Sequence, residues 1–73
     1  MNTPFYTVLE VQDLGSSKAV LSQCYDNKNS AYSDYFTRCA SAAISVIPYH
    51  AAYLIESGYG CIEQREWDRR NEE

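Results

Sequence analysis

The spacing of hydrophobic and polar positions divides the chain into two hairpins separated by one helix. Residues 4–13 and 18–25 are rich in aromatic and β-branched types, and the turn-forming residues 14–17 between them predict an antiparallel hairpin. Residues 49–56 and 61–68 have the same character on either side of the glycine-containing residues 57–60. They predict a second hairpin.

Between the two hairpins, apolar residues recur at spacings of three and four, as on one face of a helix. These positions are Tyr32, Tyr35, Phe36, Cys39, Ala40 and Ala43. Asn29 or Ser30 can accept a hydrogen bond from an amide of the first turn. Pro48 stops the helix because it clashes with the preceding turn and disfavours helical geometry at Ile47. The pattern predicts a helix from 29 to 46.

The predicted order is therefore β-β-α-β-β, an α+β fold with a four-stranded antiparallel sheet and one helix packed on one face. The chain of 73 residues has room for a single domain, 1–73. Its highly charged end, 69–73, is expected to be a frayed tail.

Because side chains alternate across a strand, each strand has two rows, and both rows contain apolar residues. In the first strand, Phe5, Thr7, Leu9 and Val11 form the row expected to face the helix. Together with Leu21, Leu54 and Ile62, Leu9 is expected to build the core. The residues left on the other side of the sheet would form an apolar patch: Tyr6, Val8, Tyr53, Ile55 and Trp67. Large exposed apolar patches are usually interfaces, so we expect a homo-oligomer first and a partner surface second.

Composition and charge argue against several classes of function. Ten acidic residues against six basic ones give a net charge of -4, the wrong sign for direct nucleic-acid binding. The start of the chain lacks a secretory pattern and no apolar run is long enough to span a membrane, so we expect a cytoplasmic protein that does not contact membranes. Three cysteines, an odd number at wide spacings, are typical of reduced thiols.

Catalytic and metal sites are not indicated. His50 is the single histidine and has no motif around it, so we expect a half-buried imidazole bonded to a backbone group or a Tyr hydroxyl, and no enzyme. Cys24, Cys39, Cys61 and His50 lack the close pairing of structural zinc ligands. No metal or other cofactor is expected.

The seven tyrosines are the most unusual feature of the composition. Tyrosine and tryptophan concentrate binding energy at interfaces, and tyrosine can also stack on bases. The candidate binding residues are Tyr6, Tyr53, Tyr59 and Trp67. Core and interface roles are favoured over stacking on a ligand.

The segment from Tyr32 to Asp68 combines a Tyr-rich helix start, an Ala-rich helix end, the run Ile47-Pro48-Tyr49-His50 and a short hairpin. In these features it resembles small uncharacterised accessory proteins encoded by tailed phages and prophages. The resemblance implies an accessory protein that works in the host cytoplasm and counters a bacterial immune protein.

The resulting hypothesis is a non-enzymatic binding protein that inhibits a host protein by stoichiometric binding. An acidic exterior can steer such a protein toward a basic surface. The alternative is an oligomer that sequesters a nucleotide signalling molecule between subunits. A purely structural phage component is a third class.

Overall fold

The computed structural model of the chain describes residues 4–70. It contains strands β1 (Tyr6–Asp13) and β2 (Lys18–Tyr25), helix α1 (Lys28–Ala43), and strands β3 (Tyr49–Glu56) and β4 (Gly60–Asp68). The strands form one antiparallel sheet in the order β2-β1-β3-β4. The predicted α+β fold and its element order are confirmed, and the two hairpins join through their first strands, β1 and β3.

The turns of the two hairpins depend on glycine. Gly15 has a φ of 95° and Gly58 a φ of 79°, values in the left-handed region that side chains with a Cβ atom rarely adopt. Asp13 supports the first turn, since its Oδ1 accepts a hydrogen bond of 3.0 Å from the Gly15 N–H. The second hairpin also contains an irregular register beside Leu54 and Ile55, so β4 is not a regular edge.

Helix α1 begins one residue earlier than predicted and ends three residues earlier. Asn27 caps the start, with its Oδ1 accepting a hydrogen bond of 3.1 Å from the Ser30 N–H. At the other end, the Arg69 guanidinium donates to the carbonyl oxygens of Ala42 at 2.9 Å and Ala43 at 3.2 Å. The Ser45 N–H also donates to the Ala42 oxygen at 3.2 Å, so Arg69 and the residues directly after the helix together satisfy its last carbonyls.

Two of the residues expected to fray, Arg69 and Arg70, therefore make defined contacts. The Arg69 N–H also donates to the Pro48 carbonyl at 2.6 Å. Arg70 donates two side-chain hydrogen bonds to Asp68, and its guanidinium lies 4.5 Å from the centre of the Tyr49 ring. Residues 71–73 lie outside the described part of the chain.

The core lies between α1 and the two central strands. Its buried members are Tyr6, Val8, Ala31, Tyr35, Cys39, Ala52 and Leu54, and the half-buried Tyr25, Tyr32, Ile62 and Trp67 pack against them. Leu54 and Ile62 are thus on the helix side as expected. Among residues 4–70, no helix is long and apolar enough to cross a membrane.

The expected orientation of β1 is wrong. Tyr6 and Val8 are buried beneath α1, so Phe5, Thr7, Leu9 and Val11 lie on the opposite side of the sheet. Leu21 is on the helix side but largely exposed, because α1 sits mainly over the central strands. Trp67 also lies on the helix side, opposite His50, which leaves only Tyr53 and Ile55 of the predicted patch on the uncovered side.

Candidate functional site

The side of the sheet away from α1 is a candidate interaction surface. Within residues 4–70 no element packs on it. We call it the open face and define it by residues that register places there, leaving out the charged end at Asp13: Thr7, Leu9, Val11, Val20, Ser22, Cys24, Ala51, Tyr53, Ile55, Gln64 and Glu66. Its centre is apolar, since Leu9 pairs with Tyr53 and Thr7 pairs with Ile55 across the two central strands.

The β4 side of the open face is polar. A shallow depression there is lined by Tyr53, Gln64, Arg65 and Glu66. Glu66 accepts a hydrogen bond of 2.6 Å from the Tyr49 hydroxyl. This bond, with some burial, raises the pKa of Tyr49, so the hydroxyl keeps its proton and holds the carboxylate in place. The apolar centre is therefore bordered by a positioned negative charge.

One end of the sheet carries a group of opposite charges. Asp13 lies 3.7 Å from both the Lys18 Nζ and an Arg70 nitrogen, and Arg70 also pairs with Asp68. The hydrogen bonds from Arg70 lower the pKa of Asp68 to about 2. The polar border and the apolar centre together give the arrangement typical of a protein interface.

The four predicted binding residues do not meet on one surface. Tyr6 is buried in the core, and Trp67 is half-buried on the helix side, so their expected place on the open face is wrong. Tyr53 lies on the open face, half-buried beside Leu9. Tyr59 is 77% exposed in the turn between β3 and β4. Of the four, Tyr53 alone belongs to the open face as we define it.

A second cluster, which the sequence did not reveal, lies beneath the helix. Glu10 in β1 is only 8% exposed and His50 in β3 only 3% exposed, and the Glu10 carboxylate accepts a hydrogen bond from the His50 Nε2. The carboxylate also accepts from Arg38 at 2.7 Å and from Gln12 at 2.9 Å. Arg38 in turn donates to Asp34 at 3.0 Å. We call these five residues the buried polar network.

Burial by itself raises the pKa of Glu10, but the hydrogen bonds from Gln12, His50 and Arg38 outweigh it and hold the pKa below its ordinary value of 4.5. The carboxylate is therefore ionised, and three donors satisfy it. The network joins β1, β3 and α1, so its geometry ties the helix to the two central strands.

The imidazole ring of His50 is enclosed by its neighbours. The remaining ring nitrogen of His50, Nδ1, is buried and has no hydrogen-bond partner among residues 4–70. The Trp67 ring lies edge-on to the imidazole at 6.4 Å. A general base needs its free nitrogen within reach of a substrate proton, whereas this one is enclosed. His50 is thus more buried than expected, and its partner is a carboxylate rather than a backbone group or a Tyr hydroxyl.

One signal in the sequence could have indicated part of this network. Asp34 and Arg38 are four residues apart, the spacing that makes a helical ion pair. In the sequence, Glu10 is 28 residues from Arg38 and 40 residues from His50, and no local pattern connects them. Glu10 therefore cannot be recognised from the sequence as a buried, hydrogen-bonded carboxylate.

The cysteines lie apart from each other and are free, with Cys39 buried and Cys24 and Cys61 exposed. In the described part of the chain, no group of three or more His, Cys, Asp or Glu side chains is placed to hold a metal ion.

Comparison with known proteins adds no relative: no family model, curated protein or solved structure matches this chain.

Proposed function

We propose that this chain is a non-enzymatic protein that binds a basic partner protein stoichiometrically through its open face. The main support for this proposal is the apolar centre of the open face. The centre of the open face consists of paired apolar side chains on β1 and β3, which are half-buried within the sheet, and no helix or strand of residues 4–70 packs on them. Surfaces of this kind are most often contact sites in soluble domains.

The partner's chemistry follows from the border of the open face. Glu66 forms no ion pair with the described residues, although Arg65 lines the same depression, and the whole chain has a net charge of -4. A partner with an apolar centre and surrounding Lys or Arg side chains would complement this surface and be steered toward it. Such surfaces are common where proteins bind nucleic acids, so occupying one would inhibit its owner.

The resemblance to phage accessory proteins suggests the setting for this activity. It makes a bacterial immune protein in the host cytoplasm the first partner to test. The free cysteines are consistent with a reducing compartment. No specific contact among the described residues favours nucleotide sequestration, and the candidate aromatic residues lie on different sides of the sheet.

The test is affinity capture followed by titration. The protein is immobilised and exposed to a lysate of the cells that express it, in parallel with Tyr53→Glu on the open face and a control, Ser41→Glu, on the exposed side of α1. The captured protein is then purified and titrated. We expect the wild type and Ser41→Glu to bind it at one fixed molar ratio, with binding weakened by salt and lost in Tyr53→Glu.

Two results would overturn the proposal. The first is a partner that binds Tyr53→Glu as tightly as the wild type, which would place the contact elsewhere. The second is chemical turnover of many partner molecules per protein, abolished by His50→Ala in a variant that circular dichroism shows to be folded. Single substitutions of His50 or of any cysteine are expected to reduce binding only as far as they reduce stability.

A further inference from the structure

The two edges of the sheet differ in how they are protected. Strand β4 carries four charged residues, Glu63, Arg65, Glu66 and Asp68, and its register is interrupted beside Leu54 and Ile55. Charged residues and bulges are the devices that prevent an edge strand from pairing with another chain. This edge is therefore protected against pairing.

Strand β2, at the opposite edge, has neither device. From Ala19 to Tyr25 it contains no charged residue, and its register with β1 is unbroken over eight pairs. Within residues 4–70, β1 is its single strand partner. Val20 is 65% exposed and Leu21 45% exposed. An uncharged, regular edge with exposed apolar side chains offers backbone N–H and C=O groups to another strand.

We propose that β2 is a dimerisation edge that pairs antiparallel with β2 of a second copy of this chain. This inference stands on the edge rather than on the open face, so it is independent of the proposed function. A symmetric pair about a two-fold axis normal to the sheet keeps each residue on the same face in both copies. Paired residues must then have numbers of the same parity, which restricts the register.

Charge selects among the permitted registers. Lys18 lies at the start of β2, and Asp26 directly follows its end. A register centred on Ser22 places Ser22 opposite itself, Val20 opposite Cys24, and Lys18 of each copy next to Asp26 of the other. The two ends of the strand are thus complementary to each other across a two-fold axis, which is the reason for choosing a second copy rather than an unrelated strand.

The dimer would have a single continuous sheet with both helices on one side. The open faces of the two copies would then lie side by side, with Val20 and Cys24 at the junction. Pairing at β2 therefore enlarges the binding surface instead of covering it. Self-association through the open face, expected from the sequence, would cover Tyr53 and leave β2 free.

The first test uses a matched pair of charge substitutions. Ser22→Lys places like charges opposite each other at the two-fold axis, whereas Ser16→Lys adds the same charge in the β1–β2 turn. In sedimentation equilibrium we expect the wild type and Ser16→Lys at twice the chain mass of 8.3 kDa, and Ser22→Lys near 8.3 kDa with an unchanged circular dichroism spectrum. A wild type that remains at 8.3 kDa, or a folded Ser22→Lys that remains a dimer, would overturn the proposal.

The second test concerns the register. Lys18→Asp alone and Asp26→Lys alone should each weaken dimerisation, and the double exchange should restore it toward the wild-type dissociation constant. Failure of the double exchange to restore the dimer would reject the Ser22-centred register.

Cross-linking gives a readout that does not depend on charge. With Cys24 and Cys61 replaced by Ser, Ser22→Cys should form a disulfide dimer under mild oxidation, because directly opposed Cα atoms are about 5 Å apart. Ala19→Cys, whose two copies would be about 20 Å apart in this register, should remain uncross-linked.

The Tyr53→Glu variant separates this proposal from the proposed function. We expect it to remain dimeric while losing its partner. Conversion of Tyr53→Glu to a folded monomer, with Ser22→Lys still dimeric, would instead identify the open face as the self-interface.

Discussion

Replacing Glu10 by Gln removes the negative charge at the centre of the buried polar network while keeping the size of the side chain. Gln retains one acceptor oxygen but cannot accept charge-assisted hydrogen bonds from both Arg38 and His50. A hydrogen bond to a charged group contributes about 1.5–3 kcal/mol of net stability, and removal of one partner from a buried ion pair costs about 3–5 kcal/mol.

The lower part of that range applies here, because Arg38 keeps its second partner, Asp34, at 3.0 Å. We therefore expect Glu10→Gln to reduce the free energy of unfolding by about 2–3 kcal/mol. A single core of this size supplies only about 3–5 kcal/mol, so the variant would be marginally stable. With a urea dependence near 1 kcal/mol per molar, the unfolding midpoint should fall by about 2–3 M.

The contribution of Glu10 to stability depends on pH. The pKa of Glu10 is lower in the folded chain than its ordinary value of 4.5. A carboxyl group with a lowered folded-state pKa contributes stability that is fully present above its unfolded pKa and is lost as the pH falls through the folded value. The stability difference between the wild type and Glu10→Gln should thus be constant above pH 4.5 and shrink below it.

Urea unfolding followed by circular dichroism, repeated from neutral to acidic pH, measures both quantities. Glu56→Gln is the matched control, since it is the same substitution in a neighbouring strand at a side chain for which the described residues supply no hydrogen bond or ion pair. A Glu10→Gln variant as stable as the wild type at neutral pH would contradict the predicted contribution of the Glu10 charge. So would a stability difference between them that persists unchanged in acid.

Three further predictions concern stability. Asn27→Ala should lower the free energy of unfolding by about 1 kcal/mol because it removes the helix cap, and Asn27→Asp should retain it, as measured by urea unfolding. Leu54→Ala should cost about 2–5 kcal/mol through a cavity between α1 and the sheet, whereas Ile44→Ala, at an exposed residue, should leave the thermal midpoint unchanged. A chelator with a reducing agent should also leave the midpoint unchanged in calorimetry, and a large decrease would mean that folding requires a metal or a disulfide.

Local patterns predicted most of the fold. Strand β3 spans Tyr49–Glu56 and β2 spans Lys18–Tyr25, as expected, because alternation and flanking turns are properties of the local sequence. The helix ends at Ala43, three residues before the predicted end, where it contacts a distant part of the chain. Periodicity continues past Ala43, but Arg69, which is 26 and 27 residues away, donates to the last two carbonyls of the helix, and no local pattern shows this contact.

The orientation of β1 could not be predicted from the pattern. The row containing Leu9 is the more apolar of its two rows, and burying it would expose Glu10. The folded chain buries Glu10 because Arg38 and His50 satisfy its carboxylate, and those contacts exist only in three dimensions. The orientation of β1 also decides the composition of the candidate site. Because the row of Glu10 faces the helix, Tyr6 lies in the core and Leu9 lies on the open face, the reverse of the prediction.

The position of β1 and β3 at the centre of the sheet has a consequence for synthesis on the ribosome. The β1–β2 hairpin consists of neighbouring residues and can form early, but β1 then has an unpaired inner edge until β3 has left the exit tunnel. Pairing of Tyr6 with Glu56 closes a loop of 50 residues, so this step is entropically slower than hairpin formation. During that interval the inner edge of β1 and its open-face row are uncovered, and such unpaired edges expose a nascent chain to aggregation and to binding by chaperones.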